Sequence, residues 1–269
     1  MGRIEEKFTA LKQERKKAFI AYLTAGDPGL EETEALIPAL EAAGVDIVEV
    51  GVPFSDPTAD GPAIQAASQR ALKRGATLEK ILAMIARLRQ SSNVPIVLFT
   101  YYNPILSYGP ERFATDAAAA GADGILVVDL PPEEADELRK YSDPAGLAFI
   151  TLIAPTTDPK RARRILRGAT GFVYYISVTG VTGTAVPKPD DVRRDVERLR
   201  GMTALPVAVG FGISTPAQAA AIAPLADGVV VGSALVRLIG EKGTNSGLIE
   251  EASAFAGEIR RAIDSAGRA

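Results

Sequence analysis

Short apolar runs and amphipathic stretches alternate along almost the whole of this 269-residue chain. A short apolar run bounded by turn residues predicts a buried strand, whereas apolar residues that recur at the helical period predict a helix. Eight runs fit the strand pattern, at residues 18–24, 46–51, 95–100, 124–129, 147–152, 172–177, 206–210 and 227–232. Helices are predicted between them, for example at residues 31–43, 78–90, 112–120 and 159–166. Such alternation requires right-handed crossovers and a parallel sheet.

Eight strand–helix units predict the α/β class and a (β/α)8 TIM barrel, a fold that typically takes about 250 residues. We expect one domain over residues 1–269, because no linker divides the chain, and an extra N-terminal helix at about residues 2–14. The alternative is an open doubly wound sheet that binds a dinucleotide. Its best candidate fingerprint, GFGIS at residues 210–214, lacks the third glycine, so we favour the barrel.

Three helix starts carry suitable capping chemistry. Asp158 precedes Pro159, and Thr215 precedes Pro216. Short polar side chains accept hydrogen bonds from the first free N–H groups of a helix, and proline fits its first turn. A third start is predicted at residues 131–134, where two prolines are followed by two glutamates.

Composition excludes several classes of function. The chain has no histidine and no cysteine, so imidazole and thiolate are missing as catalytic groups and as metal ligands. We therefore expect no metal site and no cofactor, and the lack of cysteine fits the reducing cytoplasm. The formal net charge is −3 without basic clusters, which argues against nucleic acid.

One segment calls for a membrane test. Residues 201–226 carry no charge and are long enough to span a bilayer, but prolines at 206, 216 and 224 interrupt them. The N-terminus is charged and lacks the apolar core of a signal peptide. We expect no membrane segment and a cytoplasmic protein.

The most informative segment is DIVEVGVPFSDPTADGP, at residues 46–62. Glu49 lies on a predicted strand between Val48 and Val50, so it faces the barrel interior if the valines face the helices. Burial disfavours the charged form of a carboxylate. Glu49 is therefore either paired with a cation from a loop, since no predicted strand interior holds one, or it is an acid–base catalyst. We favour catalysis.

Other acids follow the predicted strands. Asp60, before Gly61-Pro62, can cap a helix or act beside Glu49, and the sequence favours neither reading. Asp56 is most simply part of an Asx turn. Asp129 ends the fourth predicted strand, where a structural and a functional role are both open.

Glycine-bearing turns follow the last three strands, at residues 180–183, 210–214 and 232–234. Glycine lets backbone N–H groups approach an anion, and a helix that begins at Ser233 adds its dipole. Barrel enzymes often hold a substrate phosphate at these loops. Tyrosines 22, 101 and 174 lie on or just after strands, where they are core residues or walls for an aromatic substrate. The pattern predicts a small phosphorylated substrate and carboxylate chemistry without a lysine imine, because no lysine lies at a strand end.

Seven segments occur together in the order and spacing of one family: FIAYLTAGDPG, EVGVPFSDPTADGPAIQ, FTYYNPI, VVDLPPEE, YYISVTGVTG, AVGFGIS and VVGSALV. They cover residues 19 to about 238 and resemble the tryptophan synthase alpha subunit. The resemblance implies a (β/α)8 barrel and a lyase of tryptophan biosynthesis. Its reaction is the retro-aldol cleavage of indole-3-glycerol phosphate to indole and glyceraldehyde 3-phosphate.

The resemblance also assigns roles residue by residue. Glu49 and Asp60 match the catalytic acids of the family. The phosphate-binding positions fall on Gly183, Gly212, Gly232 and Ser233. The substrate pocket falls on Tyr22, Tyr101, Asp129, Tyr174 and Phe211, and either Tyr101 or the adjacent Tyr102 faces the substrate. Thr182 lies in the loop 178–187, which is either a mobile lid over the phosphate or an ordered turn.

A partner is implied as well: a pyridoxal-phosphate-dependent beta subunit that receives indole in an alpha2beta2 assembly. The loops at residues 53–57 and 102–106 are apolar and proline-rich enough to dock it. Two rival functions stay open. One is another phosphate-binding biosynthetic barrel, such as a phosphoribosyl isomerase, and the other is a regulatory or channelling module that binds the phosphate ligand without chemistry.

Overall fold

The computed structural model describes residues 2–177, 189–210 and 212–267. Within these ranges the strands are β1 (Ala18–Thr24), β2 (Ile47–Gly51), β3 (Ile96–Thr100), β4 (Gly124–Val127), β5 (Ala148–Phe149), β6 (Thr151–Ile153), β7 (Val173–Ile176), β8 (Val207–Gly210) and β9 (Gly228–Val231). All pair in parallel in the order β5-β4-β3-β2-β1-β9-β8-β7-β6.

Strands β5 and β6 stand at opposite ends of that order, yet only Ile150 separates them in the chain. The fifth predicted strand is therefore formed in two pieces, of which the first pairs with β4 and the second with β7. The two edges of the sheet meet through Ile150 and the sheet curves into a barrel. The predicted (β/α)8 fold is confirmed.

The helices in the described ranges are α1 (Arg3–Gln13), α2 (Leu30–Ala42), α3 (Pro62–Lys73), α4 (Leu78–Leu88), α5 (Tyr102–Tyr108), α6 (Pro110–Ala120), α7 (Asp136–Ser142), α8 (Pro159–Leu166), α9 (Pro189–Arg200), α10 (Pro216–Ile222), α11 (Ser233–Lys242) and α12 (Leu248–Ala266), with a 3-10 turn at Ala223–Leu225. Helix α1 confirms the extra N-terminal helix.

Side-chain alternation divides the core into two layers. Val48 and Val50 belong to the large outer cluster between strands and helices. Ile47 points the other way and joins the inner cluster. Residue Glu49 follows the same inward alternation, as the sequence predicts.

Helix α1 closes the barrel floor, at the end where the strands begin. Its apolar residues Ile4, Phe8 and Leu11 are buried in the inner cluster. The Phe8 ring packs on Phe172 with 5.7 Å between ring centroids. Because the floor is filled, a ligand can enter the barrel only from the opposite end, where the strands finish.

Three aspartates at the floor tie neighbouring strands together. Each stands just before a strand and accepts a backbone N–H from the strand beside it. The bonds are Phe19 N to Asp46 Oδ2 (2.9 Å), Ile96 N to Asp123 Oδ2 (2.8 Å) and Val207 N to Asp227 Oδ2 (2.9 Å). Arginines 260, 89 and 200 neutralise the three carboxylates in turn, with N–O distances of 2.9, 2.8 and 2.8 Å. We call this set the floor aspartates.

Two predicted helix starts are confirmed and one is wrong. Asp158 accepts the N–H groups of Lys160 and Arg161, and Thr215 forms a capping box with Gln218. The segment at 131–134 forms turns instead, with the Glu134 N–H on the Pro131 carbonyl at 2.8 Å, and α7 begins only at Asp136. Strand β4 also ends at Val127, which leaves Asp129 in the following turn.

The described part of residues 201–226 folds as β8, α10 and the 3-10 turn. The prediction that this segment is not a membrane span is therefore confirmed. None of the helices in the described residues combines the length and the apolar character needed to cross a bilayer.

Candidate active site

A cavity of about 410 Å³ opens where the strands end. Its lining comes from the inner ends of strands and from the loops that follow them, including Asp60 after β2, Gly212 after β8 and Gly232 after β9. This volume is within the range of pockets that enclose a small ligand. Glu49 and Asp60, the two acids to which the resemblance assigns catalysis, both lie in its wall.

Glu49 is held on β2, between Tyr22 of β1 and Val97 of β3 in register. Its side chain is 1% exposed, and Oε1 has no hydrogen-bond partner within the part of the chain that the structure describes. No described residue forms an ion pair with it, so the described ranges supply no cation for the paired alternative. Burial without a compensating partner raises the pKa of Glu49 to about 8.

Asp60 is held by a tyrosine. Tyr101 donates from its hydroxyl to Asp60 Oδ2 at 3.0 Å and accepts the Ala59 N–H at 3.0 Å. Burial raises the pKa of Asp60 to about 6, and the hydrogen bond from Tyr101 opposes that rise. Near neutral pH the cavity therefore holds one acid that is mostly protonated, Glu49, and one that is mostly ionised, Asp60.

The capping alternative for Asp60 is wrong. Helix α3 begins at Pro62, and its N-cap is Gly61, without a side-chain hydrogen bond to the helix. Gln65 instead reaches back to the Asp60 carbonyl at 2.9 Å. The carboxylate is thus free of the helix end and lies in the cavity wall.

Two tyrosines form aromatic walls of the cavity, Tyr22 on β1 and Tyr174 on β7. The Tyr22 ring meets Phe99 edge-on, with centroids 5.1 Å apart. Each ring lies against a glycine at the end of a neighbouring strand: a Cβ on Gly51 would collide with the Tyr22 hydroxyl, and one on Gly210 with the Tyr174 hydroxyl. Burial raises the pKa of both phenols well above its usual range, so both stay neutral.

A further part of the wall suits an anion. Gly212 has a φ of 81°, a left-handed conformation that glycine adopts easily. Gly232 is the N-cap of α11, and Ser233 is its first residue, so the free N–H groups of that first turn stand beside the cavity. These three residues are brought together as the sequence predicts.

Tyr101 and Asp129 occupy supporting positions and are not among the residues that line the cavity. Tyr101 is buried behind Asp60. Asp129 Oδ1 accepts the N–H of Tyr102, the first residue of α5, at 2.7 Å. The Tyr102 hydroxyl donates to Glu137 at 3.3 Å, so of the two tyrosines it is Tyr101 that contacts Asp60.

Three predicted site residues, Thr182, Gly183 and Phe211, and the loop at 178–187 lie outside the described residues. The described residues also contain no cluster of three or more acidic side chains that could hold a metal ion.

Sequence reasoning missed several parts of the wall. Ile64 enters from α3, Ser214 from the turn after β8 and Arg237 from α11. Ile64 and Ser214 lie inside quoted motifs but were given no role there, and Arg237 directly follows the last motif. Ile64 and Arg237 could have been found only by placing α3 and α11 over the barrel mouth, since each lies on a helix rather than at a strand end.

Comparison with known proteins gives one consistent result. The family model described as tryptophan synthase alpha chain matches residues 8–264. The tryptophan synthase alpha chain of Geobacter sulfurreducens is 55% identical over 263 residues, which is 98% of this chain and 99% of the relative. That of Geotalea daltonii is 56% identical over 237 residues, 88% of this chain and 90% of the relative.

Solved structures agree with these relatives. The crystal structure of tryptophan synthase subunit alpha from Legionella pneumophila superposes with a TM-score of 0.92 at 40% identity, over 98% of this chain and 99% of the other. A chain of Mycobacterium tuberculosis tryptophan synthase gives a TM-score of 0.88 at 37% identity, over 97% and 98%.

Proposed function

The chain belongs to the tryptophan synthase alpha chain family, lyases that cleave indole-3-glycerol phosphate to indole and glyceraldehyde 3-phosphate, and we propose that Glu49 and Asp60 are its catalytic acid–base pair. This assignment rests on the environment of the Glu49 side chain. It is buried, has an unpartnered Oε1, and shares one cavity with Asp60. A structural carboxylate would be paired.

The two acids divide the proton transfers according to their pKa values. Glu49, protonated near neutral pH, gives its proton to C3 of the indole ring. Asp60, ionised at the same pH, accepts or stabilises the proton of the ring nitrogen, so that the ring becomes an indolenine. The bond between C3 and the side chain then breaks, and its electron pair forms the C2=C3 double bond while the ring nitrogen takes its proton back from Asp60. The neighbouring hydroxyl becomes the aldehyde as its proton passes to Glu49. Glu49 and Asp60 both end in their starting protonation states. The ring accepts the electron pair of the broken bond, so no lysine imine is needed.

The remaining site positions orient the substrate. Tyr22 and Tyr174 flank the indole, and Phe211 belongs to the same pocket. Gly212, Gly232 and Ser233 bind the phosphate with their backbone N–H groups at the start of α11, together with Gly183. Thr182 belongs to the loop that closes over the bound ester. Tyr101 and Asp129 support this pocket from behind, as positioning residues.

The partner is the pyridoxal-phosphate-dependent beta subunit of tryptophan synthase, in an alpha2beta2 assembly that passes indole from one subunit to the other. Two neighbouring loops support a docking surface near the cavity mouth. Residues 53–57 follow β2, and α5 follows β3. Leu106 of α5 is 56% exposed, a large apolar side chain that a partner would cover. Residues 1–269 act as one domain, and the enzyme works in the cytoplasm.

The test is direct. Purified protein is incubated with indole-3-glycerol phosphate, with and without a tryptophan synthase beta subunit, and free indole is measured. We expect indole from the chain alone and faster release when the beta subunit is present. Glu49→Gln keeps the size of the side chain but removes the transferable proton, so it should bind ligand and form almost no indole.

The control variant is Glu41→Gln, because Glu41 lies on α2 and accepts from Ser92, away from the cavity. It should leave indole formation unchanged. If Glu49→Gln turned over at the rate of the unaltered protein, the acid–base assignment would be wrong. Ligand binding without any indole from the unaltered protein would instead favour a binding module.

A further inference from the structure

Arg237 is the one lysine or arginine among the described residues that line the cavity. The same wall carries two carboxyl groups, of which Asp60 is ionised near neutral pH. A phosphate ester brings a further charge of about −1.5 to −2. A cation in this wall therefore has a large electrostatic effect on how strongly an anionic substrate binds.

The helix geometry directs Arg237 to the phosphate end. Arg237 follows Ser233 by about one helical turn on α11. Side chains one turn apart share a helix face, and each leans toward the N-terminus of its helix. The guanidinium thus extends along the face whose first N–H groups stand at Gly232 and Ser233, and all three residues line the same cavity.

Arg237 has no competing partner within the described ranges of the chain. No described carboxylate pairs with it, although Glu241 lies one further turn along the same helix. Other arginines of this structure are engaged, such as Arg70, which grips Asp27 with two hydrogen bonds of 2.8 and 2.7 Å. The Arg237 side chain is exposed at the mouth, so its donors are available to an incoming anion.

We propose that Arg237 binds the substrate phosphate and gives the cavity its preference for the phosphorylated over the unphosphorylated ligand. The assignment rests on the function proposed above. Backbone N–H groups and the helix dipole offer only about half a unit charge at this point. A guanidinium adds a full charge and two parallel donors that match phosphate oxygens.

The test compares Arg237→Gln with Lys242→Gln. Lys242 ends the same helix, pairs with Glu251 at 2.6 Å and lies outside the cavity wall, so the two variants change net charge equally. For Arg237→Gln we expect KM for indole-3-glycerol phosphate to rise roughly ten-fold, with kcat within about two-fold. Inhibition by inorganic phosphate should weaken by a similar factor, and inhibition by unphosphorylated indole-3-glycerol should stay within about two-fold.

Arg237→Lys should recover part of the lost affinity, because it restores the charge without the planar fork. Added salt should reduce the difference in KM between Arg237→Gln and the unaltered protein, because the contact is exposed to solvent and salt screens it. The proposal would be overturned if Arg237→Gln weakened the binding of phosphorylated and unphosphorylated ligands equally. It would also be overturned if the KM of Arg237→Gln equalled that of Lys242→Gln.

Phosphate binding by calorimetry separates this inference from the proposed function. If the unaltered protein forms no indole yet loses phosphate affinity on Arg237→Gln, the reaction is wrong and the phosphate contact stands. If indole forms and phosphate affinity is unchanged by the substitution, the reaction stands and the contact is wrong.

Discussion

The phenol of Tyr101 donates a hydrogen bond of 3.0 Å to Oδ2 of Asp60, which joins the end of the third strand to the loop after the second. The same phenol oxygen accepts the Ala59 N–H. Tyr101 therefore fixes the position of the Asp60 carboxylate and favours its ionised form at once. This bond links the fold to the chemistry, because it opposes the effect of burial on the pKa of Asp60.

Replacing Tyr101 should shift the pH at which the enzyme becomes active. Tyr101→Phe removes the hydrogen bond that lowers the pKa of Asp60, so that pKa rises. The acidic limb of the kcat/KM profile should move to higher pH by the same amount. The matched control is Tyr102→Phe, whose lost hydroxyl contacts Glu137, and it should leave the limb in place. An unmoved limb in Tyr101→Phe would mean that this contact does not tune Asp60.

The unaltered enzyme should show a bell-shaped dependence of kcat/KM on pH. In the proposed mechanism, activity needs ionised Asp60, whose pKa is about 6, and protonated Glu49, whose pKa is about 8. The rate should rise with pH near 6 and fall near 8. In Glu49→Asp the alkaline limb should move, while the acidic limb set by Asp60 should not. A flat profile between pH 5 and 9 would contradict the assigned protonation states.

Stability should depend on Glu49 in the opposite sense to a carboxyl group whose pKa is lowered by folding, such as one in an ion pair. Its pKa is raised from 4.5 unfolded to about 8 folded, so between these values the native state holds the extra proton. The native state therefore loses stability as pH rises through this window. Glu49→Gln cannot ionise and should gain about 2 to 4 kcal/mol of unfolding free energy relative to the unaltered protein between pH 4 and pH 9.

Urea unfolding at the two pH values measures this difference. Glu41→Gln again serves as the control, because Glu41 lies outside the cavity wall and accepts from Ser92. If the free energy of unfolding changed equally with pH in the unaltered protein and in Glu49→Gln, Glu49 would be solvated rather than buried.

Gly51 should tolerate no side chain. A Cβ there would meet the Tyr22 hydroxyl and ring, so Gly51→Ala should push Tyr22 into the cavity and cost about 1 to 3 kcal/mol of stability as well as substrate affinity. Tyr22→Phe removes the nearest colliding atom and should restore part of both losses. Gly257→Ala on α12 is the control, since its Cβ would meet only an Arg261 nitrogen at 3.4 Å. Melting temperature and KM report the two effects, and a harmless Gly51→Ala would refute the close packing.

The floor aspartates should affect stability rather than catalysis. Asp123→Ala removes the acceptor of the Ile96 N–H and leaves the nearly buried Arg89 without its carboxylate, at a cost of about 2 to 4 kcal/mol. Asp227→Ala should cost less, because that side chain is 35% exposed against 6% for Asp123. Below the melting temperature both should keep kcat/KM. Equal losses of stability in Asp123→Ala and Asp227→Ala, or a loss of kcat without a loss of stability, would contradict this prediction.

The sequence predicted the strands well because barrel strands are short apolar runs between turn residues. The predicted bounds of β1 agree with the structure, and those of β2, β3 and β8 differ by one residue at the start. The prediction of a helix start at Pro131-Pro132 was wrong, because the same residue types are common in turns and in the first turn of a helix. The sequence pattern also extended β4 to Asp129, whose carboxylate instead takes the N–H of Tyr102. Such a contact between separate loops leaves no local pattern.

The residues of the cavity wall were predictable where they lie at strand ends and not where helices supply them. Glu49 follows from alternation on one strand, and Gly232 and Ser233 follow from a strand, a turn and a helix start. Arg237 has no such pattern, because its position depends on how α11 lies over the barrel. The partnership of Tyr101 with Asp60 likewise depends on two loops meeting in space.

Helix α1 has a consequence for how this chain emerges from the ribosome. It precedes in the chain the residues that cover it: its Phe8 ring packs on Phe172, and Ile4 packs against Gly124 and Gly171. Until those residues have been synthesised, this part of its apolar face is uncovered. Premature termination before the seventh strand should therefore yield fragments that expose this face, and these fragments should be substrates for chaperones and proteases. The segment that seals the finished barrel is thus the same segment that marks an incomplete one for removal.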